Sequence, residues 1–283
     1  DLTRWIWCWV LHLFILRFRP KALAPRYAEI WTQKGSPLLA ITLAQVEKLQ
    51  ARFAHHNQIK IVAAMRYGEP SIARACEALS DCDSITVIPM YPQYSGTTTA
   101  STFDALAQYF VKQRNIPSLN FIKDFYDHPL YIAALAASVR QFWAKNGRGT
   151  RLLLSFHGIP QRYVDLGDPY QKQCEITAQL LAESLQLKPQ EWALTYQSRL
   201  GREPWLQPYT DVVLPEWAKQ GIAMAEIICP GFPADCLETL EEAAMQYAEL
   251  FKQSGGGTLR YIPALNDSPE LIELLTDLIL KNQ

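Results

Sequence analysis

The sequence lacks the short motifs that mark several common enzyme classes. It contains no GxGxxG and no Walker lysine loop, so nucleotide phosphates have no backbone cradle. GxSxG and HExxH are also absent, which argues against an α/β-hydrolase and against a metalloprotease of that type. The glycine run at 255–257 precedes an expected strand rather than a helix, the wrong side for phosphate binding.

Net charge and paired cysteines are scarce as well. A formal net charge of -1 over 283 residues gives no electrostatic case for nucleic acid as a partner. The six cysteines are scattered and form no CxxC pair, so reduced thiols in a cytoplasmic protein are expected. With 49% apolar residues, the chain can bury a sizeable core in one large or two smaller domains.

The first nineteen residues form an apolar segment rich in tryptophan. Its run from Trp5 to Leu16 is twelve residues long and contains His12, which is too short to cross a bilayer. It also lacks the small-residue cleavage site of a secretory signal. An apolar helix flanked by arginines is typical of a pocket lid or an interfacial helix, and an ordinary core helix is the alternative. Both are compatible with peripheral membrane contact through residues 5–18.

Apolar strands alternate with helices through the rest of the chain. Such alternation indicates an α/β protein whose parallel sheets are covered by helices on both faces. The strands exceed one ordinary sheet, so we expect two doubly wound domains with ligands beyond the carboxyl ends of the strands. The expected strands are Lys60–Tyr67, Ser84–Met90, Asn120–Ile122, Arg151–Phe156, Glu191–Gln197, Met224–Cys229 and Leu259–Ile262.

Several residues that can carry chemistry follow these strands directly. His157 comes after a buried strand and precedes Gly158, which places it at the ligand edge of the sheet. Tyr91 and Tyr94 lie in a hydroxyl-rich turn that suits the wall of a flat ligand pocket. Trp205 is compatible with either a core or a pocket position.

A carboxylate stripe is expected on a helix spanning residues 234–253. Asp235, Glu238 and Glu242 follow one another at steps of four residues or fewer, so they share one helix face. Capping explains Asp235 but not acids two turns into the helix. The other interpretation is a site for a cation or for protons. An imidazole with a carboxylate suits a borderline divalent cation such as ferrous iron, and the same groups accept protons.

Six stretches of the chain carry a combined signal: Tyr91–Ser95, Ser155–Pro160, Gly167–Tyr170, Tyr196–Arg199, Pro204–Leu206 and Asp235–Leu240. Taken together, in matching order over essentially the whole chain, they strongly resemble the ferrochelatase family, with wording like the proteobacterial branch. The resemblance implies two Rossmann-like, chelatase-type domains with the active-site cleft between them. It also implies insertion of ferrous iron into protoporphyrin IX, the final step of haem synthesis.

The resemblance also implies roles for individual residues. His157 would be the proton-abstracting and metal-site histidine, Glu238 its carboxylate partner, and Glu242 and Asp235 a supporting proton or metal path. The matching domains are 1–95 plus 268–283, with residues 1–19 as a hydrophobic lip, and 96–267, which carries His157 and Glu238. Positions matching the porphyrin pocket are Arg19, Tyr27, Ser36, Tyr94 and Trp205.

Three departures from the family pattern stand out. Cys236 stands where many relatives have a histidine. Gly96 stands where iron–sulfur members carry a cysteine, and no C-terminal cysteine group exists, so we expect no cluster and no cofactor beyond substrate Fe²⁺. The family's first strand and its glycine-containing loop are also expected to be missing, because the chain starts at the lip.

Other functions remain open from the sequence. A chelatase for sirohydrochlorin or a cobalt precorrin would want a more basic pocket than the tryptophan-rich lip. Coproporphyrin III is an alternative substrate, although the apolar lip favours protoporphyrin IX. A non-catalytic tetrapyrrole-binding fragment would not need the acidic stripe.

Overall fold

The computed structural model describes residues 24–56 and 58–282. Its strands are β1 (Ser84–Val87), β2 (Ser118–Phe121), β3 (Arg151–His157), β4 (Trp192–Gln197), β5 (Met224–Ile228) and β6 (Thr258–Tyr261). Its α-helices span 24–30, Pro37–Arg52, Ile72–Ala78, Thr99–Phe110, Pro129–Asn146, Gln161–Asp165, Tyr170–Ser184, Thr210–Lys219, Tyr247–Gln253 and Pro269–Lys281. A 3₁₀ turn (Pro189–Glu191) precedes β4, and a π-helix spans Glu238–Gln246.

The larger sheet has four parallel strands in the order β4-β3-β5-β6. Its central strand β3 carries Leu152, Leu153 and Leu154, all at most 1% exposed, because helices cover both faces of the sheet. β3 and β4 run in register to their last residues, where His157 lies opposite Gln197. The α/β class with two parallel sheets and flanking helices is therefore confirmed.

The smaller sheet pairs β1 with β2 in parallel. In the sequence, the domain boundary expected after residue 95 falls between these two strands. The strand expected at Lys60–Tyr67 is absent, since residues 61–64 are irregular and Met65 forms a single bridge with Ser71. A strand needs a ladder partner beside it, and no further described segment pairs with these residues.

The last helix, Pro269–Lys281, connects the two parts of the structure. It packs against both Pro129–Asn146 and Pro37–Arg52. Just before it, the main-chain oxygen of Asn266 accepts from Gln45 Nε2 at 2.6 Å. Lys48 lies 2.6 Å from the Asp267 carboxylate. These contacts attach the C-terminal segment to the helix Pro37–Arg52 in the first part of the chain.

The acidic helix differs from its prediction. We expected an α-helix from residue 234, but helical structure begins at residue 237 and is of the π type over Glu238–Gln246 before Tyr247–Gln253. Asp235 therefore precedes the helix, and the prediction that it shares a helical face with Glu238 and Glu242 is wrong. A π-helix is a wider turn that occurs frequently at functional sites.

Residues 1–23 lie outside the described part of the chain, and with them Arg19 and the expected lip. Among the residues that are described, no helix has both the length and the apolar character needed to cross a membrane.

Candidate active site

His157 is the last residue of β3 and is partly buried. Its Nδ1 lies 2.6 Å from the main-chain oxygen of Gly158, and because that oxygen only accepts, Nδ1 is the donor. In the neutral ring, Nε2 then carries the free lone pair. The ring packs against Phe232, with ring centroids 6.4 Å apart. His157 therefore presents a proton acceptor or metal ligand at the carboxyl edge of the sheet.

Because Gly158 has no side chain, the Gln197 main chain and the Trp205 ring approach it closely at this edge. A Cβ atom there would lie 3.0 Å from the Gln197 main-chain oxygen and 3.1 Å from the Trp205 ring. Gly158 N donates to that oxygen at 2.8 Å, and Trp205 pairs with Pro160 in an isolated bridge. Trp205, expected in the pocket, thus packs beside the residue that follows His157.

The strand order places His157 at a topological switch point. From β3 the chain moves to β4 on one side and then crosses to β5 on the other. Ligands in such sheets bind in the crevice where the connections diverge, beyond the strands' carboxyl ends. β3 contributes His157 to this crevice, and β5 leads through the Pro230–Gly231 turn into the π-helix.

Gln197 connects the histidine strand to the acidic helix. Its Nε2 donates to the Glu238 main-chain oxygen at 3.0 Å and to Glu242 Oε2 at 3.2 Å. Its Oε1 accepts from Ser155 Oγ at 2.7 Å, and it is only 2% exposed. Gln197 received no role from the sequence, although its position at a strand end, inside the stretch Tyr196–Arg199, is a signal for one.

Glu242 is held by neutral donors. Besides Gln197, it accepts from the Ser198 hydroxyl and, at 2.8 Å, from Tyr247 OH. Burial, followed by the Glu242 charge, raises the pKa of Tyr247, so this phenol remains a protonated donor. Within 24–56 and 58–282, Glu238 and Glu242 form no ion pair with lysine or arginine. Neutral partners leave the charge of the carboxylate available to a cation or proton.

Asp235 has a different environment. Its Oδ1 accepts from Tyr261 OH at 2.6 Å and from Thr239 Oγ1 at 3.0 Å, and its Oδ2 accepts from Asn266 Nδ2 at 2.7 Å. The residue is 6% exposed. These contacts hold Asp235 just before the start of the helix.

The buried thiols beside these acids are poor metal ligands. Burial raises the pKa of Cys229 and of Cys236, and nearby carboxylates including Glu238 add to the effect. A protonated thiol does not coordinate metal as a thiolate does. The five described cysteines are free, as the sequence predicted for reduced thiols.

The other expected pocket residues are spread over the first part of the chain. Tyr94 is partly buried, with Lys123 Nζ 5.1 Å from its ring centroid. Tyr27 is 39% exposed and meets Trp31 edge-on, and Ser36 occupies the N-cap position of a helix. Arg26, next to Tyr27, lies 3.7 Å from Glu241, which brings this segment to the π-helix.

Arg66 and Tyr67 received no role from the sequence, whereas Tyr91 was expected in the wall of a flat ligand pocket. Burial raises the pKa of Tyr91; Tyr67 and Glu238 raise it further, and Arg66 opposes them. The guanidinium of Arg66 lies 4.6 Å from the Tyr67 ring centroid.

The described residues contain no group of three or more His, Cys, Asp or Glu side chains able to hold a metal ion. The candidate ligands are instead one imidazole and the carboxylates beyond β5. Nitrogen and oxygen donors of this kind suit a borderline divalent cation such as ferrous iron.

A sequence model of the family described as Ferrochelatase matches residues 1–283. A ferrochelatase of Acinetobacter baumannii is 47% identical over 287 aligned residues, covering 100% of this chain and 85% of that protein. A ferrochelatase of Nitrosococcus oceani is 50% identical, covering 99% of this chain and 77% of its own length.

Two solved structures share the fold. SirB from Bacillus subtilis with Fe³⁺ aligns with a TM-score of 0.64 at 13% identity, covering 88% of this chain and 92% of SirB. CbiX, described as the terminal enzyme for biosynthesis of sirohaem in denitrifying bacteria, aligns at 0.57 and 16% identity, covering 92% and 94%. At this identity the likeness concerns the chelatase fold alone. Since the family model spans the whole chain and relatives reach 50% identity, the chain belongs to the ferrochelatase family, lyases that insert ferrous iron into protoporphyrin in the terminal step of haem biosynthesis.

Proposed function

We propose that His157 takes the pyrrole protons of the porphyrin at Nε2 while Glu238 is its carboxylate partner at the metal. One observation carries this assignment: Gln197, the register partner of His157, hydrogen-bonds both Glu238 and Glu242. The histidine and the acids thus meet at one edge of the sheet. Inserting Fe²⁺ releases two protons, so the site needs a base and a route for charge.

In this proposal, Glu242 accepts protons after His157. Its partners Gln197, Ser198 and Tyr247 are neutral donors, so no fixed cation competes for its charge. Asp235 supports the site indirectly by holding the start of the helix against Asn266. A general base of this kind typically contributes about 10²–10⁴-fold to rate.

The proposed porphyrin pocket comprises Arg19, Tyr27, Ser36, Tyr94 and Trp205. Trp205 packs at Gly158, and the segment bearing Tyr27 is linked to the π-helix through Arg26 and Glu241. Aromatic walls with a few polar groups suit a large flat acid. Protoporphyrin IX is the proposed substrate in preference to coproporphyrin III.

The remaining proposals concern setting and cofactors. Gly96 occupies the position where a cluster ligand would be needed, which supports an enzyme without an iron–sulfur cluster. The scattered cysteines support a cytoplasmic location, and the apolar N-terminal segment supports peripheral membrane contact through residues 5–18. The last helix joins the first domain in this proposal.

The decisive experiment compares His157→Ala with His55→Ala, a histidine in an exposed turn. Zinc insertion is followed by the fluorescence of zinc protoporphyrin, and porphyrin binding is measured without metal. We expect His157→Ala to bind porphyrin normally and to lose insertion, while His55→Ala behaves as wild type. Insertion at the wild-type rate by His157→Ala would refute the assignment.

A further inference from the structure

The segment Tyr91–Ser95, here called the wall segment, follows β1 but is held by residues that flank the larger sheet. Asp168 Oδ2 accepts from Ser95 Oγ at 2.9 Å and from Gly96 N at 2.8 Å. Gln173 Oε1 accepts from Tyr94 N at 2.6 Å. Backbone and side-chain groups at the end of the wall segment therefore donate hydrogen bonds to Asp168 and Gln173, which follow β3 in the chain.

Gln173 belongs to the helix Tyr170–Ser184, which also contacts the loop after β2. Gln173 Nε2 donates to Asp124 Oδ2 at 2.9 Å, and Thr177 Oγ1 donates to the Tyr126 main-chain oxygen at 2.8 Å. Thr177 also accepts from Gln93 Nε2 at 3.0 Å. The helix is thus attached to the carboxyl edge of the smaller sheet at several points.

Most of these hydrogen bonds are partly buried, the one between Gln93 and Thr177 is buried, and the one from Gly96 N is exposed. Ser95 and Thr177 are 0% exposed, and Gln93 is 2% exposed. Buried polar groups strongly favour the arrangement in which each has its partner, so the wall segment has one preferred position. Asp168 Oδ1 in addition accepts from Tyr170 N at 3.0 Å, which joins the wall segment to the start of the helix.

The wall segment also contacts the turn that leads into the π-helix. A Cβ atom on Gly231 would lie 3.6 Å from Gln93 Oε1. The Tyr131 hydroxyl donates to Pro230 O at 2.5 Å on the same turn. One connected set of contacts therefore positions both the aromatic wall and the entry to the acidic helix.

We propose that Asp168 is a positioning residue for the porphyrin, acting through the wall segment. It holds Tyr91 and Tyr94 in place before the substrate arrives, which lowers the ordering cost of binding. The proposal rests on the proposed porphyrin pocket. Because the metal ligands lie elsewhere, loss of Asp168 affects porphyrin binding more than metal binding or proton transfer.

The test uses Asp168→Asn and Ser95→Ala, which weaken the same contact from its two sides, with the exposed Asp165→Asn as matched control. Loss of a charge-assisted hydrogen bond corresponds to about a tenfold change in an equilibrium. We expect the KM for protoporphyrin to rise about tenfold in both variants, with kcat within about twofold. The KM for zinc should not change. In Asp168→Asn, hydrogen exchange should become faster at the Gly96 amide and stay unchanged in the rest of the protein.

An unchanged porphyrin KM in both variants would overturn the proposal. So would a fall in kcat and melting temperature without a change in KM, because that pattern marks a purely structural residue. Ser95→Ala keeps the test valid if Asp168→Asn fails to fold. Tyr94→Ala separates this proposal from the pocket assignment. An unchanged porphyrin KM in Tyr94→Ala refutes the pocket itself. A raised porphyrin KM in Tyr94→Ala together with a wild-type KM in Asp168→Asn refutes only the positioning role.

Discussion

Glu226 lies inside β5, whereas Glu238 and Glu242 follow it in the chain, and the two sets of carboxylates have opposite environments. Glu226, inside the strand, is fully buried and pairs with Arg260 of the neighbouring strand β6. It also accepts from Trp143 Nε1 at 2.6 Å and from Gly149 N at 2.9 Å. Its charge is neutralised and its acceptor positions are occupied.

The carboxylates beyond the end of β5 are arranged differently. Glu238 and Glu242 are partly exposed and have no cationic partner in the described structure. The donors to Glu242 are neutral, and Glu238 receives a hydrogen bond from Gln197 only at its main-chain oxygen. The comparison teaches that the buried Glu226 has its charge neutralised by Arg260, whereas Glu238 and Glu242 are partly exposed and keep their charge without a cationic partner in the described residues.

The largest expected effect tests the unpaired side of this comparison. Glu238→Gln keeps the size of the side chain but removes its charge, so we expect zinc insertion to fall by about 10²–10⁴-fold. Its melting temperature should stay near that of wild type, since no ion pair is lost. Glu249→Gln, an exposed acid on the following helix, is the control. Equal activities of the two variants would contradict the proposed role of Glu238.

The second prediction tests the paired side. Glu226→Ala leaves Arg260 largely buried without its carboxylate, which should lower the free energy of unfolding by about 3 kcal/mol. Activity per folded molecule should be unchanged. Glu203→Gln, which breaks the exposed pair with Arg162, should cost at most about 1 kcal/mol in the same denaturation assay. Similar losses for both variants would show that burial does not distinguish the pairs.

Tyr247→Phe should have an intermediate effect. It removes a hydrogen bond to Glu242, and we expect insertion to fall roughly tenfold. Burial raises the pKa of Tyr247 above that of the unfolded chain, so unfolding releases its proton at high pH and wild-type stability falls above about pH 10. The variant should lose part of that alkaline dependence in thermal melts. An unchanged pH profile would contradict this.

The smallest effect is expected for Cys236→Ala. Its thiol is buried with a raised pKa, so it serves packing rather than metal binding. Insertion should stay within about threefold of wild type. In the intact protein, a thiol reagent at neutral pH should modify the partly exposed Cys82 before Cys236. Rapid loss of activity through Cys236 labelling would reverse this conclusion.

Much of the secondary structure followed from local pattern. The last helix, Pro269–Lys281, begins at a point that local sequence defines, because Ser268 caps it and a proline follows at the first position. β3 and His157 at its end were also predicted, since an apolar run followed by polar residues and a glycine is local information. The strand expected at Lys60–Tyr67 failed because a ladder depends on a partner.

The sequence alone therefore determined the alternation of strands and helices, the position of His157 after a buried strand and the family. Tertiary structure decided the strand order that places His157 at the switch point, the bridge through Gln197 and the anchoring of Asp235 by Tyr261 and Asn266. The physical reason is the distance along the chain between the residues that interact. Periodicity reports which face of an element is buried, whereas these contacts join residues that are 26 or more positions apart in the chain.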